Sequence, residues 1–401
     1  MPGIDNSKEV LDAYHGREQA FIKHSLLKAY LETLFLIIGM GSEKLGVSEL
    51  CYVDCFAGPW RDESEGLGTT SIAISLGILE QCRKELLHRG KNLRFRALYV
   101  EKSKTAFARL ERHLQDHTPE GIEAKPLKGD FVDLRQQILD WCGTGSFAFF
   151  FIDPKGWTDV RVDVLKPLLQ RPQSEFLINF MYDFVNRAAS MQDRQVQISQ
   201  LLGELPSVSG FSPPAREKAL LRTYRKNLKA CVRASRQWPA RSAYVCVQDR
   251  EKDRTKYHLV YLTSHPLGVI RFMDISEKLD LVQKQVRAAT KQHKRVEKSG
   301  QSELFASNEF VSEEEGHASP DEVEQLWLTK LSYMPRQFGQ SEFADLLEET
   351  DWFEGDLQQA LGRLIAQGKI VNLDAEGKRK SRFLHYEKKN GERLQLTGGE
   401  Q

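Results

Sequence analysis

The chain has 401 residues, of which 40% are hydrophobic and 28% charged. That is enough for two domains at roughly 150 residues each and too apolar for a chain disordered throughout. Lysine and arginine total 57 against 56 aspartates and glutamates, a net charge of +1. The balance excludes a uniformly basic polyelectrolyte but leaves room for a local basic face. Six cysteines (Cys51, Cys55, Cys82, Cys142, Cys231 and Cys246) are spread along the chain. Cys51 and Cys55 have no second Cys/His pair nearby to complete a zinc site, so no metal is expected and all six read as reduced thiols. The first residues, Met1-Pro2-Gly3-Ile4-Asp5, lead into no apolar run. The most apolar stretch, Leu31 to Met40, is too short to span a bilayer, which takes ~20 residues. These features predict a cytoplasmic protein.

Residues 1–45 read as N-terminal helices packed on the core, with Leu26, Leu27, Tyr30, Leu31, Leu34, Phe35 and Ile38 at helical spacing. Strand-type runs follow at Leu50 to Cys55, Arg94 to Val100, Ala124 to Lys128, Ser146 to Ile152 and Glu175 to Phe180. Helical patterns lie between them at Ser71 to Arg89, Lys104 to His117, Asp133 to Cys142 and Val160 to Leu169. This alternation predicts an α/β fold, a Rossmann-like parallel sheet with helices on both faces. Residues 187–236 are polar and read as a helical insertion. Ala243 to Gln248 and Tyr257 to Thr263 read as an antiparallel hairpin, and Phe272 to Arg295 as a helix that turns basic at its end. The first domain is thus expected at 46–298 and a linker at 299–320, with Gly300 and Glu313-Glu314-Glu315. Residues 321–401 should form a second domain. Helices at Asp321 to Leu331, Ser341 to Glu349 and Phe353 to Gln367 precede strands at Lys369 to Leu373 and Arg382 to Lys388, the order of a winged helix.

Chemistry gathers at the ends of the strands. The first strand runs into Asp54-Cys55-Phe56-Ala57-Gly58, a carboxylate and then a glycine turn, where doubly wound sheets bind ligands. The second ends in Glu101, placed to accept from ribose hydroxyls. After the third come Asp130 and Phe131, an acceptor for an exocyclic amine and a ring for a purine face. The fourth ends in Asp153-Pro154-Lys155-Gly156-Trp157, and Asn179 closes the fifth. Four acids at four successive strand ends fit a class I S-adenosylmethionine (SAM) methyltransferase, whose cofactor needs acceptors for its amino group and ribose and an apolar slot for adenine. On this reading Asp54, Phe56, Ala57 and Gly58 form the loop at the methionine end. Glu101 holds the ribose, Asp130 and Phe131 the adenine, and Asp153, Pro154 and Trp157 meet the acceptor.

The sequence resembles the three-Cys-motif partner protein family (TcmP), a group of methyltransferase-like proteins. The resemblance is carried by Lys23 to Leu31, Tyr52 to Trp60, Thr70-Ser71, Tyr99-Val100-Glu101, Ile152 to Trp157, Leu177 to Phe180 and Tyr257 to Pro266. It covers about residues 20–280 and only loosely the tail. It implies a partner carrying a three-cysteine motif, of iron–sulfur or radical-SAM type; this chain's own cysteines do not form that motif. Asp153-Pro154 also resembles the start of the D/N-P-P-Y motif of amino-group methyltransferases of nucleic acids, where the acid or amide holds the target amine and the aromatic stacks on a flipped base. Lys155 and Gly156 depart from that motif, and Trp157 stands one position further on.

A helix after Pro214 carries Arg216, Lys218, Arg222, Arg225, Lys226, Lys229, Arg233 and Arg236, with Arg222, Arg225, Lys226, Lys229 and Arg233 on one face. Arg287, Lys291, Lys294, Arg295 and Lys298 form a second cluster. Two such runs in a nearly neutral chain predict phosphate contacts, with the insertion as a nucleic-acid clamp over the SAM site. In the tail, Lys378-Arg379-Lys380 and Arg382 would sit in the wing, whereas Glu354 and Asp356 make the third helix a poor recognition face. The sequence therefore predicts a SAM-dependent methyltransferase acting on nucleic acid together with a three-Cys-motif partner. The rivals are a non-catalytic nucleic-acid-binding adaptor on the same scaffold and, ranked lower, a metal-dependent nuclease using Asp54 and Asp153, since no H-x-H or D-x-D cluster is present.

Overall fold

A computed structural model describes residues 18–58, 70–189, 191–233, 237–249, 254–299 and 318–398, and within these not the side chains of 18 or 285–299. The chain divides into two compact units, one of Gly16–Ser264 and one that contains His265–Gln401.

The first unit is built on seven strands: β1 (Glu49–Asp54), β2 (Arg94–Glu101), β3 (Ile122–Lys128), β4 (Ser146–Ile152), β5 (Ser174–Phe180), β6 (Arg241–Gln248) and β7 (Thr255–Thr263). Their order across the sheet is β3-β2-β1-β4-β5-β7-β6. The first five are parallel, and β7 runs antiparallel to both β5 and β6. β4 and β5 are buried at every position, as expected of apolar runs covered on both faces. Because β1 lies between β2 and β4, the chain order reverses there and opens a crevice at the carboxyl ends of the strands.

The covering helices are α1 (Glu18–Met40), α2 (Ser42–Leu45), α3 (Ser71–His88), α4 (Lys104–His117), α5 (Phe131–Cys142) and α6 (Val162–Leu169). Thr70, Ser103 and Asp130 cap α3, α4 and α5 through their side chains. α1 buries Leu26, Leu27, Tyr30, Leu31, Leu34 and Phe35. Its Tyr30 hydroxyl donates to Glu175 at 2.8 Å, and the Thr263 hydroxyl gives that buried carboxylate a second bond at 2.8 Å. The helical insertion expected at 187–236 begins earlier, directly after β5, with α7 (Tyr182–Ala189), followed by α8 (Gln195–Leu202) and α9 (Pro213–Cys231) before β6.

In the second unit α10 (Pro266–Ser299) is one 34-residue helix. It packs along α12 (Gln340–Thr350) and α13 (Glu354–Ala366), so it belongs with the C-terminal unit and the sequence-based boundary at 298 falls inside that unit. The expected linker from 300 to 317 lies outside the described residues, as do the side chains of Arg287, Lys291, Lys294, Arg295 and Lys298. The unit is completed by α11 (Pro320–Lys330) and an antiparallel sheet of β8 (Arg336–Phe338), β9 (Ile370–Asn372) and β10 (Glu392–Leu396), in the order β8-β10-β9.

Two of these strands differ from the sequence reading. β8, between α11 and α12, was not expected, and the last strand lies at Glu392–Leu396 rather than at 382–388. In the latter segment the side chain of Gln358 replaces a ladder. Its Oε1 accepts from the Phe383 and Leu384 amides at 2.9 and 3.0 Å, and its Nε2 donates to the Leu384 carbonyl at 3.0 Å. The apolar alternation is still used, since Leu384 and Tyr386 are fully buried. Among the described residues no helix is long and apolar enough to cross a membrane.

Candidate active site at the carboxyl edge of the sheet

The parallel order places the ends of β1 to β5 on one edge. The loop after β1 is pinned to both neighbours: the Cys55 amide donates to the Phe151 carbonyl and the Ala57 amide to the Val100 carbonyl, both at 2.9 Å. The loop therefore straddles the crevice. Asp54 is fully buried and accepts from the Phe56 amide at 3.1 Å and the Ser71 hydroxyl at 2.8 Å. Burial is the main cause that pushes its carboxyl up to about 6, partly offset by these two bonds. Asp54 thus shapes the loop and ties it to the start of α3. The matched residues Pro59 and Trp60 lie outside the described ones.

Glu101 ends β2 and is 9% exposed. One oxygen accepts from the Ser103 amide at 2.6 Å, which turns the carboxylate back toward the β1 loop. The other lies against Gly58, where a Cβ would stand 1.8 Å from Glu101 Oε2. A side chain at 58 would therefore displace this carboxylate from its place beside the loop.

The pair after β3 separates. Asp130 caps α5 by accepting from the Val132 amide at 2.9 Å, and its other oxygen lies 3.6 Å from Lys102 Nζ. Phe131 is 2% exposed and packs on Phe56 with ring centroids 5.0 Å apart. It belongs to the core, so its expected open stacking face is corrected; Phe56, half-buried, is the ring nearer the surface.

After β4, Asp153 is half-buried and Pro154 buried. Trp157 is half-buried and packs against the core cluster. Asp153 receives Asn179 Nδ2 at 2.6 Å and is ion-paired with Lys23 of α1. The first bond fixes the amide orientation and leaves Asn179 Oδ1, which is buried, without a hydrogen-bond partner. Lys23 opens one of the stretches that carry the family resemblance, but nothing local assigns it to the site, because its partner is far along the chain.

The basic face of α9 is also redrawn. Arg222 and Lys226 are exposed and Lys229 is half-buried; Arg233, expected on the same face, is exposed but lies beyond the end of the helix at Cys231. Arg225 points inward instead, 7% exposed, with Nε donating to Ser242 Oγ at 3.1 Å and Nη2 to the Ser242 carbonyl at 2.7 Å. Its guanidinium lies 4.9 Å from the Tyr244 ring centroid. Arg225 is thus a structural residue and does not share the exposed face. Lys226 is ion-paired with Glu204 at 3.0 Å. Arg236 lies outside the described residues.

No protein-family model matches the chain, and no curated protein matches it. Among solved structures it is similar to a protein from Legionella pneumophila, with 11% identity over 64% of this chain and 91% of that one and a TM-score of 0.36. It is similar to an O-methyltransferase from Bacillus cereus in complex with SAH (14% identity, 66% and 92% covered, TM-score 0.29). It is also similar to an O-methyltransferase from Streptomyces achromogenes involved in tomaymycin synthesis, in complex with SAM (13%, 60% and 90%, TM-score 0.29). At such identities and scores these likenesses carry no function to this chain. The observed strand order itself describes a Rossmann-like, doubly wound sheet extended at one end by the antiparallel strands β7 and β6.

Proposed function

We propose that the chain is a SAM-dependent methyltransferase acting on an amino group of a nucleic acid, in company with a three-Cys-motif partner. The observation that carries the reading is the convergence of Asp54, Glu101, Asp130 and Asp153 on one carboxyl edge, around a loop pinned to both neighbouring strands. The donor set fits the cofactor: Glu101 for its ribose, the Phe56–Gly58 loop for its methionine end, Asp130 for its adenine. Bound there, SAM supplies an electrophilic methyl group.

The protein's own contribution is positioning. Asp153, fixed by Lys23 and Asn179, accepts an N–H of the acceptor and offers a base for the proton that nitrogen sheds. Buried Pro154 keeps the backbone rigid at that point, and Trp157 supplies a flat face beside it. The exposed cations Arg222, Lys226 and Arg233 make phosphate contacts. The second unit, three helices and a small antiparallel sheet beside α10, has the element order of a winged helix and serves as an accessory binding module.

One observation favours the non-catalytic adaptor: Asp153 is already paired with a lysine and is mostly buried. Calorimetry with SAM on the wild type and Glu101→Ala tests cofactor binding. Transfer of radiolabelled methyl to DNA, RNA and protein separates the two readings. SAM binding that Glu101→Ala abolishes, with label entering nucleic acid, supports the methyltransferase; binding without transfer to any acceptor supports the adaptor.

A further inference from the structure

We propose that Glu217, Cys246 and His258 form a binding site for a zinc-like divalent cation, separate from the four strand-end acids. The residues come from three elements, the start of α9, β6 and β7. Cys246 and His258 are direct cross-strand partners, and Glu217 reaches them from the insertion. One potential ligand atom from each lies within 4.8 Å of the other two.

The arrangement of His258 distinguishes a metal site from a simple ion pair. The residue is 2% exposed, and its Nε2 is 2.9 Å from Glu217 Oε1. Nδ1 makes no hydrogen bond, and Nε2, close to Glu217 but poorly aligned with it, has no other partner. A buried imidazole normally secures both nitrogens. Here the ring is held by packing instead, between Tyr244 at 5.1 Å, Tyr182 at 5.6 Å and Phe180 at 6.5 Å between centroids. A nitrogen and a carboxylate oxygen this close, with their bond poorly aligned, can share a third body between them in place of a proton. The sulfur beside them, 3.3 Å from Thr255 Oγ1, completes a set of nitrogen, sulfur and oxygen donors.

That set suits a borderline-soft divalent ion, with zinc first. Three protein ligands leave a fourth position for water, and the site has an outward side, since the Glu217 side chain is 24% exposed. Magnesium and calcium prefer all-oxygen sites and are disfavoured by the thiolate and imidazole. A bound ion would clamp α9, which carries the exposed Arg222 and Lys226, to the β6–β7 hairpin. His258 pairs in register with Phe180, one residue beyond Asn179, so the clamp lies at the same edge of the sheet as Asp153. The inference does not depend on the methyltransferase reading.

The test uses the full chain, stripped with a chelator and titrated with Co²⁺ alone. The expected result is one equivalent bound, with a thiolate-to-cobalt charge-transfer band that Zn²⁺ abolishes by displacement. Cys246→Ser should lose the band. Glu217→Gln, which preserves shape on the more open side of the site, should lose stoichiometric binding while keeping the wild-type circular dichroism. Absence of the band in wild-type protein overturns the proposal, and so does a band that survives Cys246→Ser. A wild-type response in Glu217→Gln would remove that residue from the ligand set and equally overturn the site as drawn.

Discussion

Lys23 on the first helix is ion-paired with Asp153 at the end of β4, 130 positions away in the chain. The side chains are 17% and 18% exposed, so the pair is screened far less than one on the surface. Lys23→Met should cost about 1–3 kcal/mol, because it leaves a half-buried carboxylate with Asn179 as its remaining named partner. Asp153→Asn in that background should recover part of the loss by removing the uncompensated charge. Urea denaturation of the two single variants and the double variant closes the cycle. Strict additivity would show that the pair has no coupling.

Gly58 and Glu101 make a second prediction, in which stability and binding separate. A Cβ at 58 would meet the far end of a side chain that can swing away, losing its bond from the Ser103 amide. Gly58→Ala should therefore cost only about 0.5–1.5 kcal/mol of stability. SAM affinity should fall by about tenfold or more, because the displaced carboxylate is the proposed ribose acceptor. Calorimetry beside a thermal melt reads both; intact affinity in a folded variant would remove Glu101 from the cofactor site.

The sheet was legible because β1, β4 and β5 are apolar runs buried on both faces, and parallel order then dictates that Asp54, Glu101 and Asp153 share an edge. What each acid does there was less legible. Asp54 reads as a ligand group in sequence, yet it is consumed by the Phe56 amide and the Ser71 hydroxyl. Lys23 gives no local sign of its partner. On α9 a signal was present: Leu221, Tyr224, Arg225 and Leu228 follow the spacing of an inward stripe, and all four are buried. Counting charges alone placed Arg225 on the wrong face. In the tail, alternation at 382–388 imitates a strand because Leu384 and Tyr386 do point inward, while a side chain on α13 supplies the backbone partners.

Asp54 gives a pH dependence of definite sign. Its carboxyl is pushed up to about 6, so the folded chain binds more protons than the unfolded one between the ordinary aspartate value and that point. Its contribution to stability is present below about pH 4 and is lost as pH rises through about 6, an effect of roughly 2–3 kcal/mol. The half-buried Glu277 of α10, raised to about 7 by the burial of its carboxyl, adds a loss of the same sign at higher pH. Asp54→Asn should flatten the lower part of the profile. The stability difference between wild type and variant, measured by denaturation from pH 4 to 7, should change steadily; a constant difference would refute the assignment.

Arg222 and Arg225 are three positions apart and should behave oppositely. Arg222 is exposed, so Arg222→Glu should leave the melt within about 0.5 kcal/mol of wild type. It should also weaken nucleic-acid binding and reduce its salt slope by about 1–2. Arg225→Ala removes two bonds to Ser242 and the stacking on Tyr244, and should destabilise the first unit by about 2–4 kcal/mol. Salt titrations of binding, run beside denaturation, distinguish them. If Arg222→Glu binds as the wild type does at every salt concentration, the phosphate-contact reading of α9 fails.

Gln358 tests the second unit in isolation from any question of function. It is 4% exposed and satisfies two amides and one carbonyl of a segment that has no strand partner at those groups. Gln358→Ala would leave the Phe383 and Leu384 amides and the Leu384 carbonyl buried or half-buried without that partner. The expected cost is about 2–4 kcal/mol, since each abandoned polar group loses its bond without regaining water. Gln358→Glu keeps the acceptor but loses the donor to Leu384, and should fall between alanine and wild type. Hydrogen exchange at Phe383 and Leu384 is the specific readout: both amides should lose protection in Gln358→Ala, and Gln358→Glu should retain it. Unchanged protection in the alanine variant would mean that packing of Leu384 and Tyr386, rather than the side-chain amide, holds the segment against α13.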